Sequence, residues 1–127
     1  MNNIFSWIYK KFIAYAPLVT AVGTANNIVR AYPNDASILP IVALIEANNP
    51  NSYFVENQPI ADNENLDVHI FTAFNVPTST ISQYVDDLMK SLLFTRDMSQ
   101  DMDDPSAKVR HKVMKYSRHN IVAQDLI

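Results

Sequence analysis

The sequence predicts an α+β domain: a mainly antiparallel sheet of about four to five strands, an N-terminal helix, and a second helix packed on the sheet. Three observations lead there. Apolar residues recur at helical spacing near the start of the chain and again over residues 81–93. β-Branched or alternating segments lie between and after these stretches. Prolines fall at the edges of those segments, where a strand tolerates them, and not inside. A sheet covered by helices is the α+β way to bury such a mixture. With 127 residues, 48% of them apolar and 18% charged, the chain can bury a real core as one domain over residues 1–127. Residues 120–127 read as a possible C-terminal arm.

The first helix is expected over residues 3–16. Ile4, Phe5, Ile8, Tyr9, Phe12 and Tyr15 share one broad face, while Asn3, Lys10, Lys11 and Ala14 lie opposite with Trp7 among them. Pro17 is expected to end it, because the residue before proline is pushed out of the α region. Residues 18–27, with the only glycine, Gly23, read as a connector. Strands follow over 28–32, closed by Pro33, and 41–48, opened by Pro40. The second is apolar on both faces, which suits a central strand. Asn48-Asn49-Pro50-Asn51 is a turn cluster, and residues 53–57 return as a strand. Residues 59–65 are polar and acidic and read as a loop tip. Residues 66–74 alternate, with Leu66, Val68, Ile70 and Phe74 against Asp67, His69 and Ala73.

The clearest helical pattern is Ile81, Tyr84, Val85, Leu88, Met89, Leu92 and Leu93, which predicts a helix over 81–94 covering Leu66, Val68 and Ile70. Thr80 and Gln83 have capping-box spacing, with Thr78 as the alternative N-cap. Asp86 and Lys90 form an i, i+4 pair on the expected solvent face. Residues 96–106 read as an acidic loop, and 108–118 as the last strand.

The chemistry the sequence excludes is as informative. Without cysteine there are no disulfides, thiolate metal sites or cysteine nucleophiles. One glycine leaves no phosphate-cradling loop. Of the three histidines, His69 alternates with apolar residues and reads as structural; His111 and His119 read as a solvated basic face, not a metal pair. Asp97, Asp101, Asp103 and Asp104 keep part of a calcium-loop alternation, but Gln100 and Pro105 interrupt it and the glycine and glutamate of such loops are missing. No catalytic set emerges, so neither enzyme nor cofactor is expected. A net charge of −3 gives no general attraction to nucleic acid or anionic membranes. The start has no basic signal-peptide region and no run is long enough to span a bilayer, so a soluble protein made in the cytoplasm is expected.

Charge is nevertheless segregated. Between Glu46 and Asp104 there are eleven acidic and two basic residues; from Lys108 to Arg118 there are five basic residues and no acid. The basic segment suits a protein-facing patch, or an edge strand protected from aggregation by its charges. Only Tyr116 interrupts it as an aromatic, which argues against base stacking. Trp7, off the apolar stripe, is either a half-buried core residue or an interface anchor. Ile121, Val122, Leu126 and Ile127 leave an apolar end that must pack somewhere. The candidate subunit or partner interface is therefore Trp7, Arg110, Lys112, Lys115 and Arg118, with Asp97, Asp101, Asp103 and Asp104 as candidate acidic partners. The competing arrangement is an acidic loop folded over its own basic strand.

The N-terminal helix, the strand Ile28-Val29-Arg30-Ala31-Tyr32-Pro33, the Leu39-Pro40 approach to a second strand, and the later hairpin, helix and strand resemble the tail terminator, or tail-completion, proteins of long-tailed bacteriophages. The likeness covers most of the chain and rests on element order and a few punctuating residues. It implies a structural virion protein of the tail or neck, assembled in the host bacterial cytoplasm. Such a protein forms a homo-oligomeric ring, usually hexameric, that caps the tail-tube protein, stops polymerisation and meets the head-completion or connector protein. The alternative is another neck component or a small monomeric adaptor module.

Overall fold

The first ten-residue helix, α1 (Ile4–Ile13), forms as its apolar stripe requires: Phe5, Ile8 and Phe12 are buried, and Tyr9 and Tyr15 pack beside them. In the computed structural model, which describes residues 4–33, 39–46, 53–55 and 58–120, Pro17 does more than end this helix. It opens a second one, α2 (Ala16–Val22), where the expected connector lies. Tyr15 turns extended at the N-cap, and a proline in the first turn lacks only an N–H that the helix leaves unpaired anyway. Gly23 stops α2 at φ +98°, a left-handed backbone that only glycine enters freely, and its N–H reaches the Val19 carbonyl at 2.9 Å. A 3₁₀ turn, Ala25–Asn27, leads into the sheet.

The strands are β1 (Ile28–Val29), β2 (Ile41–Glu46), β3 (Tyr53–Val55), β4 (Gln58–Ala73), β5 (Thr95–Asp101) and β6 (Val109–Asn120), with α3 (Ser79–Ser91) between β4 and β5. Their order is β1-β2-β4-β6-β5, and β3 pairs with the start of β4. All pairings are antiparallel except β1 with β2. β2 is the central strand its composition predicts: Ile41, Val42, Ala43 and Leu44 are all buried. The expected continuation of β2 over 47–48, the end of β3 at 56–57 and the arm at 121–127 lie outside the described residues. Residues 30–32, expected to lengthen β1, leave the ladder after Val29.

Three expectations are corrected. Residues 59–65 belong to β4 and not to a loop, because the ladder with β6 runs unbroken from Ala73↔Val109 to Asp62↔Asn120 and Pro59 and Ala61 pair with β3. Backbone pairing of that kind is indifferent to polar side chains, which is why the pattern concealed it. Most of the expected acidic loop, 96–106, is strand β5, whose side chains are nearly all exposed and so carry no apolar alternation. Consequently β6 is an interior strand between β4 and β5, and edge protection does not explain its lysines and arginines.

α3 covers the face predicted for it. Leu66, Val68 and Ile70 share one buried cluster with Ile81, Val85, Leu88 and Met89, joined by Phe12, Leu18, Val42, Leu44, Met114 and Tyr116 from the other elements. Thr78 is the N-cap, without a side-chain capping bond, and the Thr80–Gln83 capping box does not form. Gln83 instead donates to the Asp87 carboxylate at 2.9 Å. The helix ends before Leu92, and Leu93 turns left-handed at φ +68°.

Candidate interaction surface

Trp7 is 39% exposed, and its position on α1 follows from the stripe: it lies beside the buried face and not within it. The Arg118 guanidinium and the Lys11 ammonium each lie 5.6 Å from its ring centroid. Arg118 is fixed from several sides. Its Nε donates to Glu64 at 2.8 Å, its Nη1 donates to the Leu92 carbonyl at 3.1 Å, and it also covers the Phe94 ring. One side chain thus ties β6 to β4, to the end of α3 and to α1. Arg30, just after β1, lies over Phe5 and Tyr9 of α1 and donates to Ser6 at 3.3 Å. Trp7 and Lys11 are helical neighbours on the side of α1 that meets Arg118, while the Phe5–Tyr9 row under Arg30 lies on the other side of the helix.

The other sequence-predicted interface residues are brought together within the subunit. Arg110 pairs with Asp103 at 3.4 Å, Lys112 with Asp101 at 3.1 Å and Lys115 with Asp67 at 3.9 Å. Asp103 also accepts the His111 backbone N–H at 3.0 Å. Asp104 closes a turn, accepting from the Ser106 hydroxyl at 2.7 Å and from the Ser106 and Ala107 N–H groups, bonds that hold its carboxyl below the usual carboxylate range. Asp97 is exposed and makes no ion pair among the described residues. Among the described residues no cluster of three or more histidines and carboxylates is placed to hold a metal ion. No described helix is long and apolar enough to cross a membrane. A shallow groove of about 260 Å³ lies between Pro77–Ser82 and the Arg110–Asp103 and Lys112–Asp101 pairs, whose charges are satisfied by one another.

Two polar centres escaped the sequence reading. Asp86, expected on the solvent face, is buried. It accepts from the Tyr116 hydroxyl at 3.0 Å and pairs with Lys90 at 3.1 Å and Arg96 at 3.8 Å. Burial and the neighbouring carboxylate push the Tyr116 hydroxyl far up, so it stays a donor. The buried tyrosine facing it from β6, with Lys90 and Arg96, is what makes a buried carboxylate tolerable there.

The second centre is on the opposite face of the sheet. The His69 Nδ1 and His111 Nε2 atoms are 2.8 Å apart, so one ring donates and the other accepts. Phe71 stacks on His111 at 4.2 Å and Tyr32 meets His69 edge-on at 4.9 Å. His111 is therefore a partly buried partner of His69 and not part of a solvated face; the side chain of His119 lies outside the described residues. Both imidazoles are held below the ordinary histidine range by burial. The register explains the meeting: His69 pairs across from Val113 and Phe71 from His111, which brings the two rings to adjacent rungs on one face. Spacing in sequence carried no sign of this.

A small α+β domain with a half-exposed tryptophan and exposed lysines on its first helix is what the fold and surface define. No family model matches the sequence, and no curated protein matches it. Among solved structures it is similar to a chain described as "Virion of native gene transfer agent (GTA) particle", with a TM-score of 0.68 at 13% identity. The alignment covers 91% of this chain and 92% of that one. At that identity the likeness establishes a shared fold.

Proposed function

We propose that this protein is a structural component of a phage-like virion, and that it acts as a tail terminator. Copies of the chain form a homo-oligomeric ring, hexameric as in that family, which caps the tail tube and offers its other side to the connector. The single observation that carries this reading is the match in fold, over nine-tenths of both chains, to a component of a gene transfer agent virion. The order of elements and the prolines at positions 33 and 40 support the finer assignment. On this reading the protein works through its surfaces, with Trp7 as the anchor of a subunit contact.

The test is assembly. The purified protein, alone and mixed with tail-tube protein from the same particle, is followed by sedimentation and negative-stain microscopy. Ring-sized species, alone or on the ends of tubes, are expected. A monomer under both conditions, at high protein concentration, would instead favour a monomeric neck or adaptor module.

A further inference from the structure

We propose that the groove between the start of α3 and the Arg110–Lys112 stretch of β6 binds a singly charged oxyanion, a carboxylate or a phosphodiester group. Thr78, the first-turn N–H groups of α3, Lys112 and Arg110 supply the donors. The site is independent of the ring reading, and its failure leaves that reading untouched.

Helix α3 begins without a cap. It runs for 13 residues, has no acidic side chain in its first turn, and its N-cap Thr78 makes no side-chain capping bond. The Ser82 N–H donates to the Thr78 carbonyl at 2.9 Å, so the Ser79 and Thr80 N–H groups before it have no acceptor among the described residues. Thr78, Ser79 and Thr80 are residues of the kind that ordinarily close a helix start, and here none of them does. A second, independent sign is burial. Thr78 lines the groove and is only 9% exposed, yet its hydroxyl has no partner among the described residues. Thr72, the other buried threonine among them, donates to the Val76 carbonyl at 2.6 Å. An unpaired buried hydroxyl is costly, so an acceptor entering the groove uses a donor that the fold itself leaves idle.

The opposite wall selects the ligand. Lys112 spends one of its ammonium donors on Asp101 at 3.1 Å and keeps the others, on a side chain that is mostly buried. Arg110 donates through Nε to the Phe74 carbonyl and through Nη1 to Asp103, which leaves Nη2. Asp101 and Asp103 also line the groove and balance the two cations. With the side-chain charges balanced, the positive end of the α3 dipole and the surplus of donors tip the site toward an anion. The same two carboxylates would repel a multiply charged ion, which restricts the ligand to one negative charge. A volume of about 260 Å³ leaves room for a carboxylate or a phosphodiester group, since one water takes roughly 30 Å³.

The test uses the full-length protein and two probes, acetate and dimethyl phosphate, at constant ionic strength. The backbone amide signals of Ser79 and Thr80 are followed by NMR, with dissociation constants of about millimolar order expected for groups so small. Both amides should shift on titration, and the probe that binds more tightly identifies the source of the group. Thr78→Val keeps the side-chain shape and removes the hydroxyl, so it should weaken binding about tenfold, as the loss of one hydrogen bond to a charged group does. Thr78→Ser keeps the hydroxyl and should retain binding. Should Thr78→Val fail to fold, as judged by melting, Lys112→Gln replaces it and should also weaken binding, because it removes a donor and leaves Asp101 facing the anion. No shift with either probe at concentrations far above the millimolar range overturns the site. Unchanged affinity in Thr78→Val, or in Lys112→Gln where that takes its place, overturns it too. Equal loss in Thr78→Val and Thr78→Ser would trace the effect to packing and overturn the role of the hydroxyl.

Discussion

Lys11 and Arg118 lie at the same 5.6 Å from the Trp7 ring, yet they belong to different parts of the molecule's electrostatics. Arg118 is bonded to Glu64 and to the Leu92 carbonyl, and its side chain is only 13% exposed. Lys11 has no carboxylate partner among the described residues and is exposed. The contrast extends to their elements. The cations of β6 are matched one by one within the subunit, whereas those on and beside α1 are not. A count of charge along the sequence singles out β6; the pairing singles out α1. Matched charges hold a fold in register, and unmatched ones remain available to a partner.

That comparison can be broken in order of expected effect. The core beneath both regions sets the scale: Leu88→Ala should cost about 2–5 kcal/mol in denaturant unfolding, as large-to-small changes in packed cores do. A loss within about 0.5 kcal/mol, the range of surface changes, would mean α3 does not anchor the sheet. Next comes a matched charge. Asp86→Ala leaves the buried Tyr116 hydroxyl without its acceptor, so a loss of about 1–3 kcal/mol is expected. Equal stability would show that the Asp86 network is incidental to the interior.

The histidine pair gives a smaller, pH-dependent effect. Its imidazoles face Asp67 and Lys115 on the same side of the sheet, with Asp103 near His111. Burial holds both imidazoles below the ordinary histidine range in the folded protein. As pH falls through the unfolded value, the unfolded chain therefore takes up protons first. The contribution is present above that pH and is lost as pH drops toward the folded values. The melting temperature should fall from pH 7.5 to 5, and His111→Gln should flatten that slope; an unchanged slope would show that the pair does not govern it. Smallest of all, Lys10→Ala/Lys11→Ala should move unfolding free energy by no more than about 0.5 kcal/mol, because these unmatched charges hold nothing in the subunit.

Much of this arrangement was legible in the sequence. The stripe of Phe5, Ile8 and Phe12, the two-faced apolar run of β2 and the heptad-like spacing from Ile81 each identify an element by its burial. What stayed hidden depends on partners distant in the chain. β5 shows no alternation because almost nothing on it is buried, and the start of β4 is polar because β6 supplies its pairing through the backbone. Pro17 was read for what it ends and not for what it begins. Asp86 and His111 looked solvated because Tyr116 and His69, which satisfy them, lie 30 and 42 residues away. At the surface, Trp7 was recognisable from the helical wheel, but the pairing of Arg110, Lys112 and Lys115 required the register of the sheet.

The most direct test of the central claim, that the outer face of α1 serves assembly and not folding, is Trp7→Ala measured by sedimentation and by melting on the same sample. Trp7 packs on Arg118 while leaving much of its ring in solvent, so the account predicts weakened association with a subunit stable to within about 1 kcal/mol of wild type. A variant that melts much earlier yet assembles normally would return Trp7 to the core and contradict the account.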